Sequence, residues 1–298
     1  MTVSTLSPSS MVRDTFANVK SIAWPTAPGL LLFATAVAGQ SWFNRLAAAG
    51  GQLTLLWMAV GLVTIFVGCC WSADMYRKLL PEAGRNGLFV DAGRLFLANL
   101  AVYGLYFILI FLLTLFFSIF AGILIGTTGY DPSETPESSQ AVWESMRALS
   151  DSGGAAVLYL LLFVALAGLV WLGLRLFVFG VATVAENRMT IFRSWSWTSR
   201  HASRIALLWV MLQLLPWIVL TLLASGLLQL SGVETVFSFY AVGELPSEAQ
   251  GLAPWQVAAL TGVATLVLAP FYWLGHGLAV ALYQRLAPTR VDAETTFG

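Results

Sequence analysis

Charged residues are scarce in this chain. Asp, Glu, Lys and Arg make up 10% of the 298 residues, whereas 58% of the residues are hydrophobic. Soluble globular proteins usually contain about 25% charged residues. So few charges cannot cover the surface of a soluble domain of this length. The composition therefore predicts an integral membrane protein.

Histidine and cysteine, the usual ligands and nucleophiles of enzymes, are scarcer still. The chain has two histidines, His201 and His276, and two adjacent cysteines, Cys69 and Cys70. Neighbours in a helix point about 100° apart, so a disulfide between them would be strained, and we interpret both as small buried hydrophobes. Metal-ligand spacings, a P-loop pattern and a serine with a placed base are all missing. The sequence predicts a non-enzymatic protein without metal or cofactor.

The chain also lacks a net charge. Fifteen basic residues balance fifteen acidic ones, which excludes the large uncancelled positive field that nucleic-acid binding needs. Nucleic acid is therefore not an expected partner.

Long apolar runs are abundant. A helix needs about 20 apolar residues to cross a bilayer, and in lipid a helix satisfies its own backbone groups. Six runs are long enough: Ala23–Phe43, Leu53–Trp71, Leu95–Ile125, Ala155–Ala185, Ile205–Leu230 and Trp255–Leu286. Bends are expected at Pro216 and Pro270, since each removes an intrahelical hydrogen bond.

We therefore expect an all-α fold, an integral membrane bundle of six transmembrane helices with short interfacial amphipathic helices. The transmembrane domain would cover residues 23–286, between an N-terminal tail of residues 1–22 and a C-terminal tail of residues 287–298. The two long outer connections each suggest a short surface helix, one near Val142–Leu149 and one in residues 232–243.

The basic residues alternate between the connecting segments. Twelve of the fifteen lie in the two tails, in the segments after the second and fourth runs, and at the end of the last run, where Arg285 lies next to the C-terminal tail; only Arg45 and Arg147 lie in the other segments. By the positive-inside rule, both termini are expected on the cytoplasmic side of a bacterial inner membrane. One alternative remains open: the motif AVA at residues 36–38 resembles a signal-peptidase site, and cleavage there would leave five spans.

The stretch from Ala185 to Ile205 lies between two apolar runs and is rich in arginine and tryptophan. On a helical projection the apolar face holds Ile191, Trp195, Thr198, Ala202 and Ile205, and the opposite face holds Arg193, Trp197, Arg200 and Arg204. This pattern is typical of a helix in the membrane interface. The second face predicts a binding site for anionic lipid or phosphate, with general positive-inside anchoring as the alternative.

The same region carries a family resemblance. The stretch RLFVFGVATVAENRMTIFRSWSWTSRHASRI resembles the membrane domain attached to some bacterial glycerophosphodiester phosphodiesterases, and related stand-alone six-span inner-membrane proteins. These share an Arg in a span, a Glu about ten residues later and a Ser-Trp-x-x-Thr segment. Here the matching residues are Arg175, Glu186 and Thr198, with either Ser196 and Trp197 or Ser194 and Trp195, of which the second pair fits the spacing better. This chain has Ser where members usually have Gly after the Thr. The resemblance implies the membrane architecture, and the phosphodiesterase domain has no counterpart here.

Three polar residues inside the apolar runs share a depth near the cytoplasmic side: Arg175, Gln213 and His276. Charges in hydrocarbon are costly, so such residues are functional candidates. They predict an intramembrane polar cluster, with Asp74 and Asp91 as further cytoplasmic partners. The alternative is structural: Arg175 extends to the interface, and His276 satisfies a backbone carbonyl or another helix.

These observations favour an accessory, scaffold or lipid-interacting membrane protein. The expected partners are membrane lipids, mainly anionic, and a larger membrane-protein complex. The rival hypothesis is a small transporter or channel that uses the polar cluster.

Overall fold

The computed structural model describes residues 7–50, 54–81, 86–128, 144, 147, 149–230 and 252–287. Every regular element in these ranges is helical, which confirms the all-α fold. The helices are α1 (Pro8–Ile22), α2 (Ala27–Gly50), α3 (Thr54–Leu79), α4 (Leu88–Thr127), α5 (Gly154–Leu176), α6 (Phe179–Ala185), α7 (Arg193–Thr198), α8 (Ala202–Trp209), α9 (Leu215–Leu230), α10 (Pro254–Val267) and α11 (Ala269–Leu286), with a π-helical segment, Val210–Leu214, between α8 and α9.

The described helices include several membrane spans. Four are long and apolar enough to cross a membrane: Met58–Leu79, Leu88–Thr127, Gly154–Ala185 and Ala202–Gly226. Two bent pairs raise the number to six if each pair is one span. They are Pro8–Ile22 with Ala27–Leu46, bent by 84°, and Pro254–Val267 with Ala269–Leu286, bent by 42°. The multi-pass membrane character is thus confirmed, and the predicted six spans are the upper value.

The N-terminal segment is more ordered than the sequence interpretation as a tail suggests. Met11, Thr15 and Ile22 recur at helical spacing and are fully buried, so α1 has one face that packs against the protein. That face lies on α11. Pro8 suits the first turn, where its missing N–H costs nothing.

Two tryptophans fix the turn between α1 and α2. The indole N–H of Trp71 donates to the carbonyl of Thr26 at 3.1 Å, and that of Trp273 donates to the Thr26 hydroxyl at 3.1 Å. Lys78 adds a bond from its ammonium to the carbonyl of Pro25 at 3.0 Å. The 84° bend is therefore held by side chains of α3 and α11.

The two predicted proline bends take different forms. Pro270 begins α11 just after a 42° bend from α10, as expected. Pro216 lies immediately beyond the π-helical segment Val210–Leu214. A proline has no N–H to donate to the carbonyl four residues before it. For Pro216 that carbonyl belongs to Leu212, which lies within the π-helical segment.

The chain divides into two compact units. Residues 100–173 form one, and the residues before and after them form the other. The unit formed by the residues before 100 and after 173 holds the main core. One buried residue from each of six helices, α1, α3, α4, α6, α8 and α11, illustrates it: Met11, Tyr76, Leu95, Val181, Leu208 and Leu278. The predicted topology puts these helix ends on the cytoplasmic side.

The unit formed by residues 100–173 contains the most apolar parts of α4 and α5. Phe107 and Phe163 are exposed by 72% and 69%, as expected of helices whose neighbours are lipid. The Tyr106 hydroxyl donates to the carbonyl of Leu169 at 3.1 Å. With 40 residues, α4 is about 60 Å long, roughly twice the hydrocarbon thickness. Its first turns belong to the core instead, where Asp91, Ala92 and Leu95 are buried.

Candidate functional site

The predicted interfacial helix is two short helices in the structure. α7 ends at Thr198 and α8 begins at Ala202. The expectation of one continuous helix is therefore wrong. Hydroxyl groups cluster at the break, where Ser196, Thr198 and Ser199 each bond a backbone carbonyl three or four residues before them.

Buried hydroxyl groups fasten α7 to the end of α5. The Ser194 hydroxyl donates to the carbonyl of Arg175 at 2.7 Å. The Thr198 hydroxyl lies 3.1 Å from the same carbonyl and 2.8 Å from that of Ser194. Ser194 and Thr198 are fully buried. The last carbonyls of a helix have no partner within the helix, so these side chains complete the end of α5.

Arg175 lies at this junction, within the candidate span Gly154–Ala185. α5 ends at Leu176, which puts Arg175 in its last turn. There a positive charge complements the helix dipole. The side chain is buried, and its guanidinium carbon lies 4.7 Å from the centroid of the Trp195 ring, a cation–π contact. The Arg, Ser, Trp and Thr of the family-like pattern thus form one cluster.

Gln213 has a structural role in the π-helical segment. Its side-chain amide donates to the carbonyl of Leu212 at 2.8 Å. In a regular α-helix that carbonyl would accept from residue 216, which is Pro216 and has no N–H. Gln213 therefore serves the carbonyl that the proline leaves without its α-helical donor. Its amide oxygen lies against Gly275, where a Cβ would come within 2.9 Å.

His276 is bonded at both ring nitrogens. Nδ1 lies 2.7 Å from the carbonyl of Tyr272, and Nε2 lies 2.9 Å from the hydroxyl of Ser72. A carbonyl can only accept, so Nδ1 carries a proton, and in the neutral ring Nε2 accepts from Ser72. The centroid of the His276 ring also lies 5.0 Å from that of the Tyr76 ring. This is the structural alternative given for His276 above.

The predicted polar cluster therefore separates into three environments. Arg175 contacts Trp195, Gln213 bonds its own helix beside Gly275, and His276 bonds Ser72 on α3. Gln213 lies beside Gly275, the residue before His276 on α11, but Gln213 bonds Leu212 while His276 bonds Tyr272 and Ser72.

The predicted lipid site likewise divides. Arg200 and Arg204 are exposed, and within the described part of the chain neither has an ion-pair partner. Arg193 instead binds Glu186 at 2.7 Å. Trp197 is half-buried, and its ring centroid lies 5.7 Å from that of Tyr283 on α11. Trp197 thus packs on the core rather than among the arginines.

Glu186 binds two arginines. Its Oε2 accepts from Arg193 Nη1 at 2.7 Å and from Arg188 Nε and Nη2 at 3.1 and 2.9 Å. The Glu186 side chain is only 17% exposed, whereas those of Arg188 and Arg193 are 58% and 54% exposed. The turn therefore presents two guanidinium groups outward around one inner carboxylate.

A buried carboxylate that the sequence hypothesis placed near Arg175 has other partners. Asp91 is fully buried and binds Arg77 at 2.7 Å and Arg94 at 3.4 Å. Nearby, the side-chain amide of Asn86 donates to the side-chain oxygen of Asn187 at 2.6 Å. This bond joins the segment before α4 to the turn after α6. Asp91 is the acidic residue in the first turn of α4. This position next to a basic segment was the only feature of the sequence that marked Asp91 as a candidate.

Metal binding has no support in the described residues, since none of them forms a group of three or more His, Cys, Asp or Glu placed to hold an ion.

The chain matches no protein-family model, no curated protein and no solved structure at a significant level. The resemblance to the phosphodiesterase-associated membrane domain therefore stays a prediction.

Proposed function

We propose that this protein is a non-enzymatic component of a bacterial inner membrane, with both termini in the cytoplasm, that binds anionic lipid headgroups. The binding surface is the connection from α6 to α8, which we call the basic connection (residues 186–204). In this role the protein serves as an accessory or scaffold of a membrane process or complex.

The placement of Arg200 and Arg204 carries the proposal. Both are exposed on a segment that the buried Ser194 hydroxyl fastens to a membrane helix through the carbonyl of Arg175. The guanidinium group binds phosphate oxygens through two parallel N–H donors. Each basic residue near an anionic membrane surface contributes about 1 kcal/mol. Two exposed guanidinium groups on a segment fastened to a membrane helix therefore suit anionic headgroups.

Transport receives less support from the same geometry. The rival hypothesis uses Arg175, Gln213 and His276 as one polar layer. Gln213 and His276 instead have separate bonds that support their own helices or a neighbour, and Arg175 stacks on Trp195.

The test replaces Arg200 and Arg204 together by Gln. Native mass spectrometry of the detergent-solubilised protein would measure binding of phosphatidylglycerol and phosphatidylcholine. Loss of two charges should weaken phosphatidylglycerol binding about 30-fold and leave phosphatidylcholine unchanged. The matched control is Arg147→Gln, an exposed arginine in the connection before α5. Unchanged phosphatidylglycerol binding in the double variant would refute the proposal.

A Lys variant of the same pair separates charge from hydrogen-bond geometry. Arg200→Lys with Arg204→Lys keeps both charges but loses the planar fork of donors. Binding close to that of the unaltered protein identifies charge as the main contribution, and a loss as large as that of the Gln variant identifies the fork.

A further inference from the structure

The turn from residue 186 to residue 193 combines exposed cations with exposed apolar side chains. Met189 and Phe192 are 47% and 73% exposed. They lie between Arg188 and Arg193, whose side chains are also more than half exposed. Apolar and basic groups that project together are typical of segments at the boundary between headgroups and acyl chains.

The turn has a defined conformation. Asn187 has a φ of 56°, in the left-handed region, which Asn tolerates better than most residues. Thr190 is buried, and its backbone N–H donates to the Thr183 hydroxyl at 3.5 Å. The backbone therefore turns inward at Thr190 and leaves Met189 and Phe192 outside.

The Glu186 carboxylate occupies the position that an anionic ligand of these arginines would take. One of its oxygens accepts three N–H groups from Arg188 and Arg193. Phosphate and carboxylate oxygens use the same guanidinium donors. A guanidinium has five N–H groups, and these bonds engage two on Arg188 and one on Arg193. The carboxylate thus neutralises one of two charges and engages donors that a phosphate could use.

We propose that Arg188 and Arg193 form a binding site for the phosphate group of an anionic membrane lipid, and that Glu186 competes with the headgroup for it. Met189 and Phe192 insert beside the lipid, which makes a lipid rather than a free phosphate the ligand. The inference rests on the lipid-binding function proposed above. It assigns phosphate binding to Arg188 and Arg193, in addition to Arg200 and Arg204.

The test is Glu186→Gln in the full-length protein. Gln has nearly the same shape but no negative charge, so the net charge of the three residues rises from +1 to +2. Native mass spectrometry with phosphatidylglycerol should then show about fivefold tighter binding, with phosphatidylcholine unchanged. The matched control is Asp151→Asn, which removes a carboxylate from an exposed position before α5 and should change nothing.

A second arm restores the charge. In Glu186→Gln with Arg193→Gln the net charge returns to +1, and phosphatidylglycerol affinity should return to about that of the unaltered protein. Unchanged or weaker binding in Glu186→Gln, or a gain that persists without Arg193, overturns the proposal. Displacement of phosphatidylglycerol by inorganic phosphate at equal concentration would identify a free-anion site and overturn the lipid assignment.

Three further outcomes keep the test decisive. If Glu186→Gln does not fold, Arg188→Gln replaces it and should weaken phosphatidylglycerol binding about fivefold; no loss overturns the site. If the Arg200 and Arg204 double variant loses lipid while Glu186→Gln has no effect, only this inference fails. If neither variant changes binding, the proposed function fails as well.

Discussion

At the scale of single residues, two hydroxyl groups and one aromatic ring hold the basic connection in place. Ser194 donates to the last-turn carbonyl of Arg175, Thr198 lies within reach of it, and Trp195 covers the Arg175 guanidinium. A hydroxyl has only one proton to donate, and the distances favour Ser194 as donor to Arg175 while Thr198 bonds Ser194. Each hydroxyl can therefore replace the other in part.

This redundancy predicts a non-additive effect of mutations. Ser194→Ala or Thr198→Val alone should lower the free energy of unfolding by about 1 kcal/mol, because the remaining hydroxyl can still serve the Arg175 carbonyl. The double variant leaves that carbonyl buried without a donor and should cost about 1–3 kcal/mol beyond the sum. Unfolding in detergent, followed by tryptophan fluorescence, measures the three values.

The matched control for that experiment is Ser196→Ala with Ser199→Ala. Both hydroxyls are exposed and bond only nearby carbonyls of the same turn, so the pair should change stability little. Simple additivity of Ser194→Ala and Thr198→Val would contradict the shared carbonyl.

At the scale of elements, the contact of α1 with α11 depends on one glycine. A Cβ at Gly277 would lie 3.1 Å from the carbonyl oxygen of Thr15 and 3.2 Å from Val19 Cγ2. Asn18 donates its amide to the carbonyl of Gly277 at 3.0 Å. Near the C-terminal end of α11, Arg285 binds Ser10 at 2.9 Å and also pairs with Asp14. The small residue thus permits the close approach that places these polar pairs.

Replacing Gly277 by Val should therefore release α1 from α11. Overpacking of this kind costs about 1–3 kcal/mol, which raises the opened fraction roughly tenfold. Trypsin cleavage after Arg13 and Lys20, both exposed on α1, should accelerate accordingly. Gly122→Val on α4 is the control, because a Cβ there meets nothing within 4 Å. Equal cleavage rates in the two variants would exclude this role of Gly277.

The elements also show which features the sequence could predict. Apolar runs identify the spans because lipid requires a long, continuous apolar surface, and proline marks the bend before α11. α1 escaped notice because only three of its residues, Met11, Thr15 and Ile22, are fully buried. Its contacts come from the far end of the chain, which no local pattern encodes.

Some residues of the candidate site were predicted from the sequence, but their partners were not. Arg175, Trp195, Trp197 and His276 were named, whereas Tyr283 and Ser72 were not, and the contacts between Arg175 and Trp195, Trp197 and Tyr283, and His276 and Ser72 join separate helices. Depth along a span brings residues to one level, but it leaves the direction of each side chain undetermined. That direction depends on helix rotation, which only packing fixes.

At the scale of the whole molecule, the alternation of basic residues predicts the topology. We expect Ser9 and Arg204 on the cytoplasmic side and Asp151 on the outer side; all three are exposed. In a chain with Cys69 and Cys70 replaced by Ala, single cysteines at these positions would be tested with a membrane-impermeant maleimide.

Labelling of position 151 in intact cells, and of positions 9 and 204 only in inverted vesicles, would agree with the predicted topology. The reverse pattern would contradict it. Cleavage of the first run as a signal peptide would remove position 9 from the mature protein, so labelling there also excludes that alternative.

The turn at Thr26 has a consequence for how the chain is made. Its backbone and hydroxyl oxygens accept from Trp71 and Trp273, and α1 packs on α11. At about 5–20 residues per second, the ribosome adds Trp273 on the order of tens of seconds after Thr26. Until then Met11 and Ile22 have no α11 to cover them. α1 is therefore made well before its main partner, and truncation before α11 leaves it without that partner.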